Sequence, residues 1–136
     1  MKRFIQCVCL LLVLSTCMVI PVSAAEEISP WASNYFLSHS GYLWWTSSTG
    51  FQVWFDVNAV DIMDEIGVSE IKVQCSSGGS GWETVATYGK NVDRNTASHE
   101  SYVTYSNAVS GNSYRAKITF YAKKGNGTAE YTYYAY

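Results

Sequence analysis

Cysteine is nearly missing from the part of the chain that folds. Of four cysteines in 136 residues, Cys7, Cys9 and Cys17 fall within the first 24 positions and only Cys75 lies beyond them. Once that leading segment is removed no intramolecular disulfide can form, so stability has to come from a hydrophobic core, which about 110 residues can build. Positive charge is also thin. Without Lys2 and Arg3 the chain keeps 7 basic residues against 11 acidic ones, a net of −4, which argues against nucleic acid and against anionic membrane surfaces as partners. Histidine is limited to His39 and His99, and neither lies near Cys75 in sequence to serve a thiol nucleophile as base. There is no Gly-x-Ser-x-Gly elbow, no His-Glu-x-x-His pair, no Cys-x-x-Cys beyond the leader and no phosphate-binding glycine loop. The acidic group Asp61, Asp64 and Glu65 lacks the ligand spacing and central glycine of a calcium loop. These absences point away from an enzyme, a metal or a cofactor.

What is present begins with a leader. Met1-Lys2-Arg3 is a short positive start, residues 7–20 are apolar, and Val22-Ser23-Ala24 supplies small residues at signal-peptidase offsets. The pattern is that of a secretory signal peptide cleaved between Ala24 and Ala25. A membrane anchor fits less well, because the run is short against the roughly 20 residues of a bilayer span. The expected organisation is a signal peptide over 1–24 and a single domain over 25–136, secreted and extracellular, with no membrane contact after cleavage. An arm over 25–34, pinned by Pro30 and Trp31, leads into that domain.

Period-2 alternation dominates the remainder. Phe51, Val53, Phe55 and Val57 share one face, and Gln52, Trp54 and Asp56 the other. Ile71, Val73 and Cys75 alternate with Lys72, Gln74 and Ser76. A Ser-Gly-rich loop over 76–81 then returns into a strand through Tyr88, which makes 71–88 a hairpin. In that hairpin Trp82 is expected to fold back over the apolar face, and Cys75 to be a small buried hydrophobe. Further strands are expected near 38–45, 101–106, 114–121 and 128–136, the last two joined by an Asn126-Gly127 turn that also carries a glycosylation sequon with Thr128. Residues 58–67 could hold one helical turn ending at Gly67, and the polar run 89–100 reads as a long loop. About seven short antiparallel strands with almost no helix predict an all-β sandwich or barrel. Tyr114, opening a late strand after a short turn, matches the tyrosine corner of immunoglobulin-like and fibronectin type III domains. The fold expected is therefore a β-sandwich of that class, without its disulfide.

Aromatic residues carry the one functional signal. The sequence holds 5 Phe, 5 Trp and 11 Tyr, and only Phe4 lies in the leader, which leaves 20 rings in 112 residues. Strict alternation cannot bury them all. It sends Trp44 or Trp45, Trp54, Tyr102, Tyr121 and Tyr134 to the wet faces of their strands. Such rings either pair across strands or form a platform for a sugar or a protein. The expectation is a secreted, non-catalytic binding protein acting on an unidentified extracellular protein or glycan. A carbohydrate-binding module that uses these tryptophans and tyrosines is the alternative. A small hydrolase or inhibitor working through 89–100 is a third class.

The segments Val53-Trp54-Phe55-Asp56-Val57, 63–73 (MDEIGVSEIKV), and Tyr114-Arg115-Ala116 leading into Phe120-Tyr121-Ala122 resemble small secreted proteins of clostridium-like Gram-positive bacteria, grouped as the domain of unknown function DUF6147. The resemblance covers most of the chain beyond the leader. It implies secretion and a small β domain, and brings no activity or site residue with it.

Overall fold

The computed structural model describes residues 34–79 and 81–136, so the leader and the Pro30–Trp31 arm lie outside the described residues. Six strands follow one another: β1 (Phe36–Trp45), β2 (Phe51–Ser76), β3 (Glu83–Tyr88), β4 (Asn91–Tyr105), β5 (Ser113–Lys124) and β6 (Gly127–Ala135). All pairings are antiparallel, and the described residues contain no α-helix. The sheet curls into a half-barrel.

The spine is β2, 26 residues long. Its first half runs between β1 and the end of β4; its second half runs between β5 on one side and, in succession, the start of β4 and then β3 on the other. The apolar alternation explains this. Phe51, Val53, Phe55 and Val57 point inward from the first half, and Ile71 and Val73 from the second. The curl brings both sets together with Ala116, Ile118 and Phe120 of β5 in one core. β1 then lies across from β5: a Cβ on Gly41 would sit 2.6 Å from Ile118 Cδ1. Only glycine permits so close an approach of backbone to side chain.

The curl originates where alternation fails. The β2–β4 register shifts between Asn58 and Met63 and the β2–β5 register between Val68 and Glu70. Such bulges bend a strand and increase its twist. Between them Gly67 takes φ +154° and packs against the backbone of Asn91 and Val92.

Four expectations need correction. Residues 58–67 are not a helical turn but the middle of β2. Met63 and Ile66 are buried there in β4 pairing, and ladder bonds plus burial outweigh the weak propensity of a segment too short for an independent helix. Asp61 and Asp64 reach sideways to the β5–β6 turn, where Asp61 pairs with Lys124 and Asp64 Oδ2 accepts the Gly125 N–H at 2.7 Å. Residues 89–100 are not a loop. From Asn91 they form β4 and pair with β2 as far as Val68, and their polarity suits a strand with only one neighbour, where charge discourages foreign pairing. The described residues hold six strands rather than about seven, because 51–57 and 71–76 belong to one strand. Trp82 does not cover the apolar face; it stands on the outer face, over Arg115.

The hairpin expectation holds. Residues 71–88 form the hairpin, with Ile71 opposite Tyr88. Cys75 is half-buried against the core and free. Tyr114 is buried, and its hydroxyl accepts the Val109 N–H, five residues upstream, at 2.7 Å.

Candidate ligand-binding face

On β1, β2 and β4 every residue that points away from the core shares one outer face, and the register sorts these residues into rows. Tyr42 lies opposite Trp54, and Trp54 opposite Tyr102. Trp44 lies opposite Gln52, and Gln52 opposite Thr104. In the next row, on the other side of the rings, Ser40, Asp56 and Glu100 align. The period of two that buries Val53 and Phe55 thus lifts Gln52, Trp54 and Asp56 onto this surface.

The aromatic row is continuous. The rings of Tyr42 and Trp54 are nearly parallel, 5° apart with centroids 6.5 Å apart, and Trp54 meets Tyr102 at 4.7 Å and 30°. Ring pairs of this kind each contribute about 0.5–1.5 kcal/mol beyond the area they bury. Trp54 Nε1 donates to Gln52 Oε1 at 2.9 Å, which fixes both side chains and leaves the Gln52 amide N–H groups free to face outward. Trp44 is different: it is 59% exposed and meets no other ring among the described residues. Trp44, Tyr42, Trp54 and Gln52 enclose a shallow groove of about 230 Å³.

The six rings expected at the surface separate into three places. Trp44, Trp54 and Tyr102 stand together on this face. Trp45 points to the opposite side, where it caps Phe51 at 4.8 Å and Tyr114 at 6.0 Å. Tyr121 and Tyr134 lie on the outer face of the other half of the sheet. Lys90 Nζ sits 4.2 Å from the Tyr121 ring centre, and the Arg115 guanidinium 4.5 Å from that of Tyr134. Tyr42 and Gln52 were missed. The parity of Tyr42 with Trp44 on one strand was the signal available for it; the role of Gln52 needs the cross-strand register.

Below the aromatic row, Asp56, Asn58, Ser98, His99, Glu100 and Asp93 line an open cleft of about 580 Å³. Its walls come from the bend of β4, where Asn95 adopts φ +53°. Among the described residues His99 is the one buried polar side chain, only 7% exposed. Among the described residues no group of three His, Cys, Asp or Glu side chains is placed to hold a metal ion. Residues 91–100 of the run that a hydrolase or inhibitor reading would use as a loop are strand.

Comparison of the chain with protein-family models, with curated proteins and with solved structures gives no significant match.

Proposed function

We propose that the chain is a secreted, non-catalytic binding module that holds a glycan against the outer face of β1, β2 and β4. The observation that carries this reading is Trp44. Cross-strand pairing accounts for Tyr42, Trp54 and Tyr102, but not for an indole left open beside a groove floored by Gln52. A sugar ring offers apolar C–H faces and a rim of hydroxyls. The first suits an exposed indole face; the second suits the amide of Gln52 and the hydroxyl of Thr104, which lies opposite it. The leader pattern of residues 1–24 supports export, with the ligand met outside the cell. The Tyr114–Val109 bond supports the finer fold reading, a sandwich of the immunoglobulin or fibronectin type III class, and the segments noted above support kinship with DUF6147.

Tryptophan fluorescence of the purified protein, titrated with a panel of neutral oligosaccharides, tests the reading. A saturable change is expected with at least one of them. Trp44→Ala should weaken that binding by about thirtyfold, the equivalent of about 2 kcal/mol for a central tryptophan anchor. Trp45→Ala, on the opposite side, should leave it unchanged. A flat response across the panel, or equal binding by Trp44→Ala, overturns the assignment.

A further inference from the structure

β1 lies at an edge of the sheet. Among the described residues it forms a ladder with β2 on one side and none on the other. Its ten residues, FLSHSGYLWW, include no Lys, Arg, Asp, Glu or Pro. Such an edge presents a row of unmet N–H and C=O groups, which proteins ordinarily blunt with charge, proline, a bulge or a very short strand.

The other free edges of this sheet are blunted in those ways. β3 has only six residues. The start of β4 carries Asp93 and Arg94 and turns at Asn95, where φ is +53°. At the end of β4 the Tyr88 hydroxyl donates to the Thr104 carbonyl at 2.6 Å. β6 carries Glu130 near its middle. The one irregularity in β1 falls between Phe36 and Ser38, which leaves Ser38 to Trp45 in unbroken register.

The unbroken stretch is self-complementary. When a strand pairs antiparallel with a second copy of itself, the contact is isologous: residue i faces j, and j faces i. The register centred on Leu43 sets Tyr42 opposite the partner's Trp44, and Trp44 opposite the partner's Tyr42. Residues 42 and 44 share the outer face, so both pairs form there. Cross-strand aromatic pairs of this kind stabilise a sheet. Trp44 gains the neighbouring ring that it lacks on its own chain, and the row Tyr102–Trp54–Tyr42 continues onto the partner's Trp44. In the same register Gly41 faces the partner's Trp45, and Ser40 faces the partner's Thr46, hydroxyl to hydroxyl. No like charges meet. A register centred on Tyr42 would leave Trp44 facing Ser40 instead.

We propose that β1 is a self-association edge: two copies pair β1 to β1 about Leu43 and join their β4–β2–β1 sheets into one. This stands apart from the glycan reading. The pairing uses the side of Trp44 that looks away from β2, whereas the groove of Gln52 and Trp54 lies toward β2. One strand pair is a small contact, below the roughly 1,200 Å² of a standard interface, so the dimer forms weakly and its share rises with concentration.

Sedimentation from micromolar to millimolar protein should show the mass rising from one copy toward two. Tyr42→Lys/Trp44→Lys sets like charges opposite each other in this register and should stay monomeric throughout. Tyr42→Lys/Trp44→Glu sets opposite charges there and should still dimerise. Both changes fall at exposed positions, and circular dichroism checks that each variant is folded. Cysteine pairing then reads the register. In a Cys75→Ser background, the Tyr42→Cys and Trp44→Cys proteins are oxidised mildly, apart and mixed. Only 42 against 44 lies directly opposite; 42 against 42 is a diagonal of about 7–8 Å, too long for a disulfide. The mixture should therefore give about tenfold more cross-linked dimer than either protein alone. A parent that is monomeric at every concentration, or single variants that cross-link as fully as the mixture, overturns the proposal.

Discussion

A Cβ on Gly67 would lie 2.8 Å from Val92 Cα and even closer to the carbonyl oxygen of Asn91. Both neighbours are backbone, so neither can move without disturbing the β2–β4 ladder that Gly67 and Val92 themselves join. The position also holds φ +154°, a conformation open almost only to glycine. Gly67→Ala should therefore cost about 3 kcal/mol or more, read as a drop in the urea midpoint. Gly125→Ala, at φ +58° with open space around it, should cost about 1 kcal/mol. Equal costs at the two sites would show that φ alone, and not the close approach, sets the requirement at Gly67.

The Tyr114 hydroxyl closes the turn before β5 by accepting the Val109 N–H at 2.7 Å. Its ring is packed against Phe51 and Tyr105, so Tyr114→Phe keeps the ring and removes one acceptor. A backbone N–H left without its partner costs about 1–3 kcal/mol. Denaturant unfolding should show a loss in that range with an unchanged m-value. A variant as stable as the parent would mean that water satisfies Val109 equally well.

Much of this fold was legible in the sequence, and the parts that were not share a cause. The strands around Phe55, Ile118 and Val73 declare themselves because one face is dry and the other wet. Residues 58–67 and 89–100 do not. They lie where β2 and β4 bend together, and a bulge breaks the period of two on which strand reading depends. Asp61 and Asp64 resemble a solvated connection until the partners that hold them are known: Lys124 and the Gly125 N–H are more than 60 positions away. The binding face was half legible. Parity exposes Trp54 and Tyr102, but only register puts Tyr42 and Trp54 side by side, and only register sends Trp45 to the other surface.

Acid should loosen the bend first. The hydrogen bond from Lys124 holds the Asp61 carboxyl below its ordinary 3.8, helped by the Ile62 N–H. The hydrogen bond from Lys90 does the same for Glu65, against an ordinary 4.5 and a smaller opposing effect of burial. A carboxyl lowered in the folded state stabilises fully above its ordinary value, and that contribution is lost as pH falls through the folded-state value. Stability should thus be flat from neutral pH to about 5 for these groups and decline below their ordinary values. Amide protection at Gly125 and Lys90, with exchange corrected for its intrinsic rate at each pH, should fall there ahead of protection at Val53. Asp61→Asn should blunt the change at the β5–β6 turn. If Val53 opens in step with Gly125, the pairs do not act locally.

Arg115 ties three parts of the chain together on the outer face opposite in charge to the acidic cleft. Its guanidinium lies 4.4 Å from the Trp82 ring centre and 4.5 Å from that of Tyr134, and its Nε donates to Gln74 Oε1 at 2.8 Å. A flat cation between two rings suits arginine and not lysine, whose ammonium is a point charge with stronger hydration. At half-exposed sites each such contact contributes about 0.5–1 kcal/mol. Arg115→Lys should therefore cost about 1 kcal/mol, with Arg115→Ala costing more through the lost stem packing. The effect should concentrate at the end of the β2–β3 hairpin, because Trp82 closes it and is 37% exposed even with Arg115 in place. In a protein that retains Trp82 as its reporter, emission should shift to the red and become more open to a neutral quencher. Glycan titration offers the control, since this cluster and the Tyr42–Trp54–Tyr102 row stand on different halves of the sheet. Arg115→Ala should leave binding there unchanged, and a loss of binding would transfer the ligand to the Arg115 face.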